Sequence, residues 1–147
     1  MNREIKFRGK SKQDNVFVYG SYVRYNDSRN NPFKNNYKET HQILAYFPGD
    51  WNMGGCEYVD VYSDTVGQYT GLKDKNGVEI YEGDIIMLRD SRVVFVWYNT
   101  NRCSFEFREY VSDGGFVDSL KDFNTDIYEV VGNIHDNPEL LKGNNHE

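Results

Sequence analysis

The groups able to do chemistry in this chain are three histidines, two cysteines, a knot of carboxylates and a basic run near the start. His41, His135 and His146 stand at no ligand spacing from one another or from Cys56 and Cys103, whereas zinc sites show paired ligands. They read as surface histidines. No Gly-x-Ser-x-Gly elbow and no Walker-type phosphate loop occurs. Glycines 67, 71, 77 and 83 are separated by turns rather than gathered before a helix. Asp74, Glu79, Glu82 and Asp84 are the acids that crowd together, and paired carboxylates can hold a divalent cation or move a proton. Each also has a local use. Asp74 suits turn initiation, Glu82 precedes a glycine, and Asp84 can accept backbone amides in an Asx turn. The turn roles are the stronger expectation, so no catalytic residue, cofactor or metal is assigned and no enzyme is expected.

The basic run offers a different chemistry. Arg3, Lys6, Arg8, Lys10 and Lys12 are opposed only by Glu4, and Tyr19, Tyr22 and Tyr25 follow on the next apolar stretch. Cations beside aromatic rings can track a nucleic-acid backbone and stack its bases, or meet a protein partner. Lys6 and Arg8 also fit the solvent face of an amphipathic strand, since they alternate with Ile5 and Phe7. Charge is unevenly spread: Met1–Pro48 carries 9 Lys+Arg against 4 Asp+Glu, and the remainder carries 8 against 19. The acidic remainder disfavours nonspecific phosphate binding. The opposed charges of the two regions, with the many aromatics, would also suit self-association.

Strands must position these groups. The 147 residues are 38% hydrophobic and 16% aromatic with only 3 Pro, a β-favouring composition long enough to bury a core. Ile5–Phe7 and Val16–Tyr25 read as an N-terminal hairpin, with Gly20 as a bulge. Residues 26–42 read as a long Asn-rich loop, and Ile43–Phe47 and Tyr58–Tyr62 as short strands. Asn76-Gly77 marks a tight hairpin between Gly67–Lys73 and Val78–Tyr81. Ile85–Leu88, Arg92–Tyr98, Cys103–Phe107 and Ile127–Ile134 complete the strands, with Cys103 on the apolar face and a helical turn at Asp118–Phe123. Asn137 and Pro138 carry the capping and first-turn grammar of a short C-terminal helix that Gly143 ends. The expected architecture is mainly β, with residues 1–62 an N-terminal β-rich region. Residues 63–147 are expected to form a small SH3-like antiparallel barrel with a C-terminal helical turn. The charged start, the lack of any apolar span and the unpaired cysteines predict a cytoplasmic protein with free thiols and no membrane partner.

Three blocks carry a family likeness: Arg3-Glu-Ile-Lys-Phe-Arg8, the stretch Gly67–Ile85, and Val131-Gly-Asn-Ile-His-Asp-Asn-Pro-Glu-Leu-Leu141. In that order and spacing they resemble the YopX family of bacteriophage and prophage proteins. The resemblance implies an SH3-like barrel in the C-terminal part and an accessory role with no established biochemical activity. It brings no catalytic motif. Where family members follow the first block with a small residue, a Trp and an acid, this chain has Gly9-Lys10-Ser11. With the acidic balance, the expectation is a non-enzymatic protein that binds a host or phage protein, with nucleic-acid binding by the basic strand as the alternative.

Overall fold

Apolar residues recurring at every second position make this a chain of strands. The computed structural model describes residues 2–27, 38–47, 54–110, 116–119 and 127–143. The chain divides into an N-terminal unit, Ile5–Gln68, and a C-terminal unit, Met1–Glu4 with Tyr69–Glu147.

In the N-terminal unit, β1 (Phe7–Lys10), β2 (Phe17–Asp27), β3 (Lys38–Phe47) and β4 (Gly55–Asp60) pair antiparallel in the order β4-β3-β2-β1. Just past the strand ends, Ser11 bridges Val61, Lys12 N–H donates to Asp60 O at 2.9 Å, and Tyr62 N–H donates to Lys10 O at 3.0 Å. One face of the curled sheet is therefore an interior. Ile43, Ala45 and Val61 are buried there, with Phe7, Val18, Tyr22, Val59 and Val66 packed around them. Gly20 makes this packing possible without a bulge, for its pairs with Phe7 and Ala45 keep register. A Cβ at Gly20 would stand 2.0 Å from Leu44 O, so close backbone approach is what requires glycine.

β5 (Gly67–Lys73) passes from one unit into the other: Gly67 and Gln68 pair with β1, while Tyr69 and Lys73 pair with β6 (Glu79–Tyr81). The expected β5–β6 hairpin is present. Gly77 has φ of 80° and donates to Asp74 O, but Asn76 is not at positive φ, and the Asp74 N–H bond to Val78 O makes the loop three residues, Lys75 to Gly77, rather than a two-residue Asn-Gly turn. The second sheet runs β10-β9-β8-β7-β11, built from β7 (Asp84–Met87), β8 (Val93–Asn99), β9 (Ser104–Tyr110), β10 (Phe116–Ser119) and β11 (Glu129–Asn133). The core of this unit gathers Ile86, Val94, Val96 and Phe107 from that sheet with Ile80 of β6, Leu88 and Tyr128. Each large apolar side chain enclosed there contributes about 1.5–3 kcal/mol.

The protein is mainly β, as expected. No sheet closes among the described residues, and the SH3-like barrel expected of the C-terminal part is not confirmed. Several local expectations are corrected. The Asn-rich stretch is partly ladder: Tyr25 pairs with Thr40, Asn26 with Glu39 and Asp27 with Lys38. Polar pairs such as Arg24 with Glu39 and Tyr25 with Gln42 sustain it without apolar residues. Residues 28–37 of that stretch lie outside the described residues. Cys103 is exposed, with φ of 53°, in the turn before β9. That turn is held by Asn99 Oδ1, which accepts from the N–H groups of Asn101 and Arg102. Asp118 and Ser119 belong to β10 through their pairs with Arg108 and Phe107; residues 120–123 of the expected helical turn lie outside the described residues. The C-terminal helix is a 3-10 segment, Pro138–Gly143. Asn137 faces backward there, its Oδ1 accepting from Asn133 N–H at 3.3 Å.

Candidate functional site

Strand alternation decides which candidate residues meet. Arg8 and Lys10 of β1 lie opposite Tyr19 and Phe17 of β2, on the outer face of the N-terminal sheet. Both cations stack on one ring: the Arg8 guanidinium carbon lies 4.5 Å from the Phe17 centroid and Lys10 Nζ lies 5.4 Å from it. Contrary to the solvent-face expectation for Lys6 and Arg8, Arg8 is only 6% exposed, and Lys10 beside it only 7%. Attraction between each cationic head and the negative face of the ring offsets part of the cost of enclosing them. Lys6 is half-buried, while Lys12 is exposed on the β1–β2 turn. Arg3 belongs to the C-terminal unit, where its stem lies beside Gly71. The basic run is thus not one stripe.

The three tyrosines also separate. Tyr19 and Tyr25 share the outer face, but Tyr22, an odd number of residues from each, turns inward. Its hydroxyl lies 2.6 Å from His41 Nδ1 and its ring stacks on the imidazole. His41 Nε2 lies 3.3 Å from Glu39, which also holds Arg24. His41 is therefore half-buried in a hydrogen-bonded row and not a surface histidine. Burial pushes the Tyr22 phenol above its ordinary 10.0, with Arg24 opposing and Glu39 adding, so it stays protonated near neutral pH. The Arg24 hydrogen bond holds the Glu39 carboxyl low.

Two of the acids around the β5–β6 hairpin, Asp74 and Asp84, hold backbone amides. Asp74 Oδ1 accepts from Asn76 N–H at 2.8 Å and Val78 N–H at 2.9 Å, and Oδ2 accepts from Val130 N–H at 3.0 Å. Burial raises this carboxyl, but the three backbone donors outweigh it and hold Asp74 below its ordinary 3.8. Asp84, buried, accepts from Tyr81 N–H at 2.7 Å, and Glu79 accepts from the Tyr81 hydroxyl at 3.0 Å. Across β8 and β9, buried Glu106 accepts from Asn99, Ser104 and Arg102, with the Asn99 bond first among the causes that hold its carboxyl low. Among the described residues no three His, Cys, Asp or Glu side chains converge as metal ligands.

What sequence reading missed is an aromatic surface. Among the described residues eight large apolar or aromatic side chains are exposed, and all but Val78 belong to the N-terminal unit: Ile5, Val16, Tyr19, Tyr46, Phe47, Tyr58 and Tyr62. Tyr46 is 67% exposed, Tyr58 58% and Tyr19 48%. Tyr58 lies opposite Leu44 and Tyr46 opposite Cys56, while Tyr19 and Tyr46 each stand one residue beyond the Gly20–Ala45 pair. All three tyrosines share the outer face. Only the two-residue period of β3 and β4 could have signalled it, and that period does not say which face is covered.

The family model described as YopX protein matches residues 6–142, most of the chain, and the protein belongs to the YopX family. Among solved structures, the chain is similar to protein EF1440 from Enterococcus faecalis at 27% identity, covering 95% of this chain and 99% of that one with a TM-score of 0.44. No curated protein matches it. No helix among the described residues is long and apolar enough to cross a membrane.

Proposed function

We propose that this YopX-family chain is a non-enzymatic accessory protein of a phage or prophage that binds a host or phage protein through the outer face of its N-terminal unit. The observation that carries this reading is the concentration of exposed aromatic side chains there, led by Tyr19, Tyr46 and Tyr58. Monomeric surfaces seldom leave rings of this size in water together, and Tyr is enriched where proteins meet. The charge supports a protein partner over phosphate: the N-terminal unit holds eight Lys+Arg against seven Asp+Glu.

The test is capture from bacterial host lysate on immobilised wild type and on Tyr19→Glu/Tyr46→Glu, with circular dichroism confirming that both are folded. A defined protein retained by the wild type and lost by the variant is the expected result. Equal capture, or none above background, overturns the reading. The nucleic-acid alternative is left with the N-terminal cations that remain accessible, half-buried Lys6 and exposed Lys12, since Arg8 and Lys10 are enclosed. It requires salt-sensitive binding of DNA or RNA that weakens on Lys6→Glu/Lys12→Glu.

A further inference from the structure

The hydrogen-bonding groups of β4 have a direction that can be read. Val61 N–H donates to His41 O at 2.9 Å, so odd-numbered residues of this strand address β3. Even-numbered ones turn away: Asp60 O accepts from Lys12 N–H, and Tyr62 N–H reaches Lys10 O. β1 would continue along this edge, but it leaves at the turn in which Asn15 N–H donates to Ser11 O and Ser11 N–H to Val16 O. Cys56 and Tyr58 are left facing outward, and β4 has no strand on that side among the described residues. A groove of about 520 Å³ runs there between the β1–β2 turn and β4, lined by Lys12, Asp14, Phe47, Glu57, Val59 and Asp60 among others.

From this geometry, and resting on the protein-binding reading above, we infer that the β4 edge takes an extended, cationic segment of the partner protein as an added antiparallel strand. The added strand lies where β1 would have run, exchanging backbone hydrogen bonds with Cys56 and Tyr58. Its side chains alternate between two faces, and each face meets a carboxylate: Glu57 beside Val59 on one, Asp60 beside Tyr58 on the other. Charge selects the occupant. Lys12 is outnumbered by Asp14, Glu57 and Asp60 at the groove, which favours Lys or Arg at alternate positions. A second copy of β4 would place four carboxylates on one short ladder, and a nucleic acid would bring its phosphates to the same acids. Edge strands are ordinarily protected by Lys or Pro, and Gly55–Asp60 contains neither.

The test uses the full chain, isotope-labelled, titrated with an acetylated and amidated peptide of three Lys-Val repeats, with the matching Glu-Val peptide as control. Saturable shifts of the Cys56 and Tyr58 amides with the Lys peptide alone are expected. Cys56→Pro removes an outward N–H while sparing the ladder to β3, and should weaken binding about tenfold or more; Cys56→Ala should not. Glu57→Lys/Asp60→Lys should abolish it. Three results overturn the inference: no shift at β4, equal binding by a folded Cys56→Pro variant, or concentration-dependent shifts of the same amides without peptide, which would name a second copy as the occupant. Loss of lysate capture by Tyr19→Glu/Tyr46→Glu with full capture by Cys56→Pro would sink the edge inference and leave the protein-binding reading standing.

Discussion

Asp74 shows how much one carboxylate can hold. It closes its own turn and, through Val130, ties the hairpin to a strand more than fifty residues later in the same unit. Asp74→Asn keeps the shape but turns one acceptor into a donor facing backbone N–H groups. The expected cost is about 1–3 kcal/mol, read from urea unfolding at neutral pH. The pH dependence follows from the direction of the shift. Because the folded carboxyl is held below its ordinary 3.8, its contribution is present in full above that value and is lost as pH falls through the folded value. The gap between wild type and Asp74→Asn should therefore close in acid. A gap that stays constant from neutral pH to well below 3.8 would show that the ionised carboxylate is not the source.

At the scale of elements, legibility followed locality. The β5–β6 hairpin was readable because its turn is local: Gly77 supplies the positive φ and Asp74 accepts from the turn amides. The upper β2–β3 ladder was not, because Arg24 meets Glu39 and Tyr25 meets Gln42 across a sequence gap that composition marks as loop. Cys103 misled for a related reason: the alternation of Phe105 and Phe107 was extended two residues into a turn governed by Asn99. Among candidate site residues, alternation set Lys6 and Arg8 on a solvent face, whereas Arg8 is enclosed with Lys10 against Phe17, which depends on tertiary packing. The Cys56–Tyr58 edge of β4, beside which no strand lies among the described residues, was least legible, since a strand's sequence does not say whether it has one neighbour or two. Gly20 gives an element-level prediction. Gly20→Ala drives a methyl into Leu44 O and should cost about 1–3 kcal/mol, with faster amide exchange in β2 and β3. Unchanged exchange in those strands would refute the close approach.

For the whole molecule, the charge imbalance has a definite location. The C-terminal unit carries nine Lys+Arg against sixteen Asp+Glu, while the N-terminal unit is close to neutral. A 20-nucleotide single strand should therefore give no retarded complex in a mobility-shift assay at about 100 mM salt, where phosphate contacts must come from clustered cations. A complex that forms there and dissolves steeply with added salt would favour the nucleic-acid alternative. The Asp74–Val130 bond also bears on how the chain is born. The two residues are separated by 56 positions. A ribosome adding about 5–20 residues per second delivers Val130 about 3–11 s after Asp74. Throughout that interval the nascent hairpin carries a carboxylate whose Val130 donor has not yet been synthesised, so the lock between β11 and the hairpin has to wait until β11 itself has been made.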